Sequence, residues 1–209
     1  MRAPALAMLL FGAQAMAQHG PRLGIGLATQ GPGVFAGSTA SMLPGPFGGW
    51  HFELPLHEQV SLVPELLYAT KGNFTRNPQQ GASSALRMRY LELPLLIKVS
   101  TDKKPDGMFL LGGGGFGWFL AGRERRWLNG NLAYDEPFRL GDNQRRAQFS
   151  ITVGMGMEGR RWSLDVRGMS SFSPFNPLVQ VQNQVYALSV AYRFGNPPPE
   201  EPAPGDADQ

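Results

Sequence analysis

Cysteine is absent from all 209 residues, which removes both a disulfide framework and any thiolate metal site. Histidine is scarce too, at three residues, and none stands at a spacing that would hold a metal with other ligand types. Charged residues make up 17% of the chain and leave a formal net charge of +3, too mild a surplus to point to a nucleic-acid partner. No run of about 18 apolar residues occurs, so helical membrane spans are excluded. Helical periodicity is missing as well. With 27 Gly and 18 Pro spread along the chain, no internal stretch keeps a 3.6-residue apolar repeat.

What the chain has in quantity is a two-residue period. In "VYALSVAYRF" (185–194) Tyr186, Leu188, Val190, Tyr192 and Phe194 share one side, and Ala187, Ser189, Ala191 and Arg193 the other, because strand side chains alternate faces. The same period predicts strands near 22–30, 47–56, 59–71, 87–100, 107–121, 146–157, 160–171 and 184–194. Several reach about 10 residues, longer than a typical globular strand and suited to a tilted membrane crossing.

The connections alternate in length. Short links fall at 55–59, 101–106 and 158–160, and longer polar or Gly/Pro-rich ones at 31–46, 72–86, 122–145 and 172–183. Short turns on one side and long loops on the other are the pattern of an outer-membrane barrel whose termini lie on the short-turn, periplasmic side. Greek-key sandwiches have no reason to keep it.

The opening residues, "MRAPALAMLLFGAQAMA", carry Arg2, an apolar stretch through Phe11 and the small-x-small site Ala15-Met16-Ala17. They predict a signal peptide over 1–17. The barrel domain is then expected over 18–195. A tail over 196–209, rich in Pro and acidic residues, has the composition of a disordered periplasmic segment.

Comparing faces across strands points to lipid as the medium the apolar side meets, with the aromatic core of a secreted sandwich as the alternative. Large apolar residues form one set, exemplified by Leu91, Leu93, Leu95 and Ile97, and by Ile151, Val153 and Met155. The opposite set mixes small residues with Glu65, Glu92, Lys98, Asp165, Arg167 and Arg193, a combination that pairs well inside a narrow lumen. A soluble barrel puts its charges outside, whereas a membrane barrel inverts the arrangement. The fold class expected is therefore all-β, an eight-stranded antiparallel up-and-down transmembrane β-barrel. At this strand number side chains fill the interior, which disfavours a diffusion porin. Tyr68, Trp118, Trp162, Tyr186 and Tyr192 stand where interfacial aromatic girdles belong.

The segments "VPELLYATKG" (63–72), "RYLELPLLIKV" (89–99), "FLLGGGGFGWFL" (109–120) and "YALSVAYRF" (186–194) resemble the PorT-like outer-membrane β-barrel domain family of Gram-negative envelopes. The resemblance implies an eight-stranded barrel over most of 22–194, without an assigned biochemical activity. Some members of that family are implicated in secretion or gliding machinery, and the tail beyond Phe194 departs from members that end on the aromatic; the barrel-assembly machinery is an expected partner during biogenesis.

The Gly-rich run at 111–117 is not followed by Lys-Ser/Thr or a readable helix, so it fails as a phosphate cradle and reads as a structural device of the strand. His51 and Glu53 share a face, and a Ser from a neighbouring strand would complete a hydrolytic arrangement. A lone lumenal His is more commonly just hydrogen-bonded. No cofactor is expected. The segment 122–145 and its neighbours carry Arg123, Arg125, Arg126, Trp127, Arg145 and Arg146, a group suited to the phosphates of outer-membrane lipid and lipopolysaccharide or to an envelope protein. Glu124, Asp135, Glu136 and Asp142 balance it in part. The expected function is a non-enzymatic envelope protein, structural or interaction-mediating, with its specificity in the surface loops. The competing readings are a rim hydrolase or lipid-modifying enzyme, and a secreted ligand-binding barrel.

Overall fold

The computed structural model describes residues 18–31, 39–102, 106–141, 144–173 and 181–195. The leader expected at 1–17 and the tail expected at 196–209 lie outside them. Ten strands follow one another without a helix among the described residues: β1 (Gln18–Gly31), β2 (Thr39–Ser41), β3 (Leu43–His57), β4 (Val60–Asn77), β5 (Ala82–Ser100), β6 (Gly107–Leu128), β7 (Asn131–Phe138), β8 (Ala147–Glu158), β9 (Trp162–Ser171) and β10 (Gln182–Tyr192).

Eight of them close a ring in the order β1-β3-β4-β5-β6-β8-β9-β10, with every contact antiparallel. Closure runs from Arg22↔Ala191 to Gly31↔Gln182 between β1 and β10. The isolated bridge His19↔Phe194 extends it at the chain ends. A closed sheet leaves no unpaired wall edge, the condition a strand protein must meet in hydrocarbon. The two remaining strands are annexes. Short β2 pairs with the far end of β4, and β7 pairs with the far end of β6 beyond the stretch that β8 occupies.

Two segments that polarity marks as long loops are largely sheet. Instead of a loop over 72–86, β4 runs on to Asn77 and β5 begins at Ala82; instead of one over 122–145, β6 continues to Leu128 and turns into β7. Here the side chains on both faces are partly buried or exposed, so the chain needs no apolar face and shows no two-residue period. Backbone pairing carries the strands outward, helped by side-chain contacts such as Arg123–Asp135 and Phe74–Trp127. The result is a sheet arm of β4, β5, β6 and β7 rising from one end of the barrel.

The faces are those of a membrane barrel. Leu95, Val153 and Val190 are 53%, 61% and 43% exposed, while Glu92 and Arg167 are 1% exposed each. The apolar side of every wall strand therefore looks outward. Two aromatic clusters bound this belt. At the short-turn end Trp50, Phe194, Tyr192 and Trp162 form a chain of neighbouring rings with centroids 4.7 to 6.1 Å apart. At the arm end Trp118, Phe116, Phe149 and Phe172 do the same at 5.5 to 6.1 Å. From Met108 to Trp118 the strand rises about 33 Å, or roughly 25 Å along the axis at a tilt near 40°, matching the apolar band of such barrels.

Candidate functional site

Inside the wall the residues opposite the apolar set meet, and they sort into three groups, each electrically neutral. In the central group Arg167 from β9 reaches Glu65 on β4 at 2.6 Å and Asp165 at 2.7 Å. Arg22 from β1 bridges the same two carboxylates, 3.1 Å from Glu65 and in contact with Asp165. Ser189 adds a hydroxyl that donates to Asp165 at 3.1 Å. Two guanidiniums thus face two carboxylates.

Nearer the short turns, Lys98 contacts Glu53 and lies 2.6 Å from Glu158, while Arg193 lies 2.6 Å from Glu158 and 3.5 Å from Glu53. Toward the arm, Lys71 pairs with Glu92 at 2.8 Å. Its ammonium lies 4.6 Å from the centroid of the Tyr90 ring. Its remaining partner, the Gln148 carbonyl, also accepts from Ser171 and Asn183 at 3.2 and 3.1 Å. Neutrality within each layer matters because an unpaired ion costs several kcal/mol in a dry interior.

Apolar packing separates the layers. Val63, Leu96, Phe109 and Leu111 form one inward cluster, and Phe47, Leu67, Met169 and Val185 belong to another. Between them the central lumen keeps a cavity of about 10 Å³ lined by Arg22, His51, Glu53, Glu65, Lys98 and Ser163 among others, enough for one water. His51 is 2% exposed, and its Nδ1 has no hydrogen-bond partner among the described residues. No serine is bonded to it among the described residues, although Ser163 lines the same cavity. The Gly-rich run of β6 makes this packing possible at Gly117, where a Cβ would stand 2.4 Å from Glu92 Oε1.

All six lumenal residues expected from sequence lie on the inner face: Glu65, Arg167 and Asp165 in one group, Lys98 and Arg193 in the second, Glu92 in the third. Their partners Arg22, Lys71, Glu53 and Glu158 were not in that set. Period two contained the signal for Arg22, since Leu23, Ile25 and Leu27 all point out.

The six residues grouped around 122–146 are not one site. Arg123 and Arg125 share the Asp135 carboxylate of β7, at 2.5 and 3.2 Å. The Arg123 hydrogen bond holds that carboxyl below the usual carboxylate range. Arg126 points to the other face, 2.7 Å from Glu124 and 5.5 Å from the Tyr134 ring centroid. Trp127 meets Phe74 with centroids 6.4 Å apart. Arg146 lies 5.2 Å from the Trp118 centroid, and Arg145 is exposed.

A closed eight-stranded ring with lipid-facing aliphatics, two aromatic girdles and a neutralised charged core is a membrane-spanning β-barrel. The chain belongs to the family described as the outer membrane protein beta-barrel domain, whose model matches residues 13–176. Its belt therefore meets the outer membrane of a Gram-negative envelope. Among solved structures, Ail, the attachment invasion locus protein of Yersinia pestis, is similar at 9% identity, with 85% of this chain and 99% of that chain covered and a TM-score of 0.48. Neisserial surface protein A is similar at 10% identity, with coverages of 85% and 99% and a TM-score of 0.48. The N-terminal β-barrel domain of Pseudomonas aeruginosa OprF is similar at 11% identity, with coverages of 85% and 100% and a TM-score of 0.35. No curated protein matches the chain.

Proposed function

We propose that this chain is a non-enzymatic outer-membrane protein with a structural or interaction role, sealed through its lumen and offering the arm of β4 to β7 to the cell exterior. The observation that carries this reading is the filled interior: three neutral charge layers alternate with apolar clusters and leave a central void of about 10 Å³. Neither solute nor substrate passes such a plug, and His51 sits inside it. The quoted segments 63–72 and 89–99 favour a place for the chain among PorT-like members of its family. On this reading residues 1–17 direct export, the assembly machinery inserts the barrel, and both termini face the periplasm, because the turns beside them are the short ones.

Two measurements test it. In planar bilayers the folded protein is expected to give no stepwise ion conductance at neutral pH; reproducible steps would remove the sealed-lumen reading. Because the chain has no native cysteine, single substitutions report orientation cleanly. Asn131→Cys at the arm tip is expected to react with a membrane-impermeant maleimide on intact cells. Asp106→Cys beside a short turn should react only after the envelope is opened, and the reverse pattern would invert the topology.

A further inference from the structure

The outward face of the arm, just above the lipid belt, carries a charge pattern that its own contacts do not balance. Along β5 the outward positions run Val99, Ile97, Leu95, Leu93 and Leu91, then change abruptly to Arg89 and Arg87, both exposed. Along β6 the outward side passes from Trp118 and Leu120 to Arg123 and Arg125, also exposed. Register sets these arginines against one another. Arg87 stands directly opposite Arg123, with Arg89 opposite Ala121 and Arg125 opposite Ala85, so Arg89 is diagonal to Arg123 and Arg87 to Arg125. Like charges directly across a strand pair are destabilising.

Compensation on this face is thin. Asp135 is shared by Arg123 and Arg125. Arg87 donates to the Pro44 carbonyl at 3.3 Å, which neutralises nothing, and Arg89 makes no ion pair among the described residues. The facing positions of β4 are Thr70 and Gly72, opposite Arg89 and Arg87. Among the described residues, then, this group of four guanidiniums has one carboxylate on its face, Asp135, which only Arg123 and Arg125 reach, at the level where hydrocarbon gives way to headgroups. A guanidinium fork matches phosphate oxygens two at a time.

We propose that Arg87, Arg89, Arg123 and Arg125 form a docking site for the phosphorylated headgroup of a membrane glycolipid, whose acyl chains lie along Leu91, Leu93, Trp118 and Leu120. The site rests on the membrane-spanning reading of the barrel and on the arm marking the outer leaflet. It joins Arg87 and Arg89 of β5 to two of the six residues that sequence grouped in one loop, and leaves Arg126, Trp127, Arg145 and Arg146 out. The excess of positive charge favours a headgroup with more than one phosphate.

Native mass spectrometry of the detergent-purified protein titrated with diphosphoryl lipid A tests the site without reference to orientation, so its failure is separable from that of the surface-labelling experiment. The expected result is retention of lipid A well above that of phosphatidylcholine. A roughly tenfold loss is expected in the double variant Arg87→Gln with Arg89→Gln. Arg145→Gln should bind as the parent does, and millimolar inorganic phosphate should not displace the lipid. Heat-modifiable gel migration confirms that each variant is folded, and the milder pair Arg87→Lys with Arg89→Lys, which keeps charge but not the fork, is expected to fall between. Equal retention of the two lipids, parent-like binding by the double Gln variant, an equal loss in Arg145→Gln, or displacement by free phosphate would each overturn the proposal.

Discussion

Replacing Arg167 by Met is expected to lower the unfolding free energy of the barrel by about 3–5 kcal/mol, the usual cost of stranding a buried charge. Arg167 and Glu65 have fully buried side chains. Removing the guanidinium leaves Glu65 and Asp165 to share Arg22 alone, so a neutral layer acquires a net negative charge where water cannot reach it. The size of the loss is a property of the remainder and not of the severed bonds. Adding Glu65→Gln to Arg167→Met restores one cation to one anion, and the double variant should recover a large part of the deficit. Urea unfolding in lipid vesicles, followed by the heat-modifiable gel shift, measures both. Unfolding midpoints equal to the parent's in the single variant would mean that the lumen is hydrated and its charges solvated, which would also undo the sealed-plug reading.

This central group shows what a sequence can and cannot disclose about such a protein. The inward placement of Glu65, Asp165 and Arg167 was legible because the neighbours Leu66, Leu164 and Val166 must face lipid, and period two then fixes the rest. Who pairs with whom was not legible. Arg22 meets Asp165 across 143 residues of sequence, a contact that exists only because the ring closes between β1 and β10. Glu158 sits at the edge of a three-residue turn in the sequence, yet closure brings it under both Lys98 and Arg193.

The arm was misread for a related reason. Outside the membrane nothing forces an apolar face, so 72–86 and 122–145 look like loops. One local signal contradicted that reading. Asn129 and Gly130 both adopt positive φ, at 50° and 81°, the two-residue turn that Asn-Gly favours in hairpins. Its presence divides 122–138 into paired strands and puts Asp135 beside Arg123 and Arg125. The Gly-rich run of β6 was correctly legible as structural, but its specific use at Gly117, space for the Glu92 carboxylate, needed the register that sets Glu92 against Gly117.

Leu95→Arg is expected to cost about 2–4 kcal/mol in a bilayer, the penalty for a cationic side chain near the midplane of a barrel's lipid face. Leu95 lies about midway between Arg89, where β5 enters the headgroup zone, and Ser100 at the short turns, so neither rim is within easy reach of its side chain. Val99→Arg, on the same outward face but beside the turn, should cost only about 0–1 kcal/mol, because the guanidinium reaches the interface there. The contrast separates the two media that this outward face can meet. On a water-exposed barrel both positions are surface sites where a charge changes stability by about 0.5 kcal/mol or less, and the two variants would be indistinguishable. Reversible unfolding of both in phosphatidylcholine vesicles decides between these outcomes. A depth-dependent penalty follows only if the aliphatic face of β5 is solvated by acyl chains while Glu92 and Lys98, on the opposite face of the same strand, are neutralised within, Glu92 by Lys71 and Lys98 by Glu53 and Glu158.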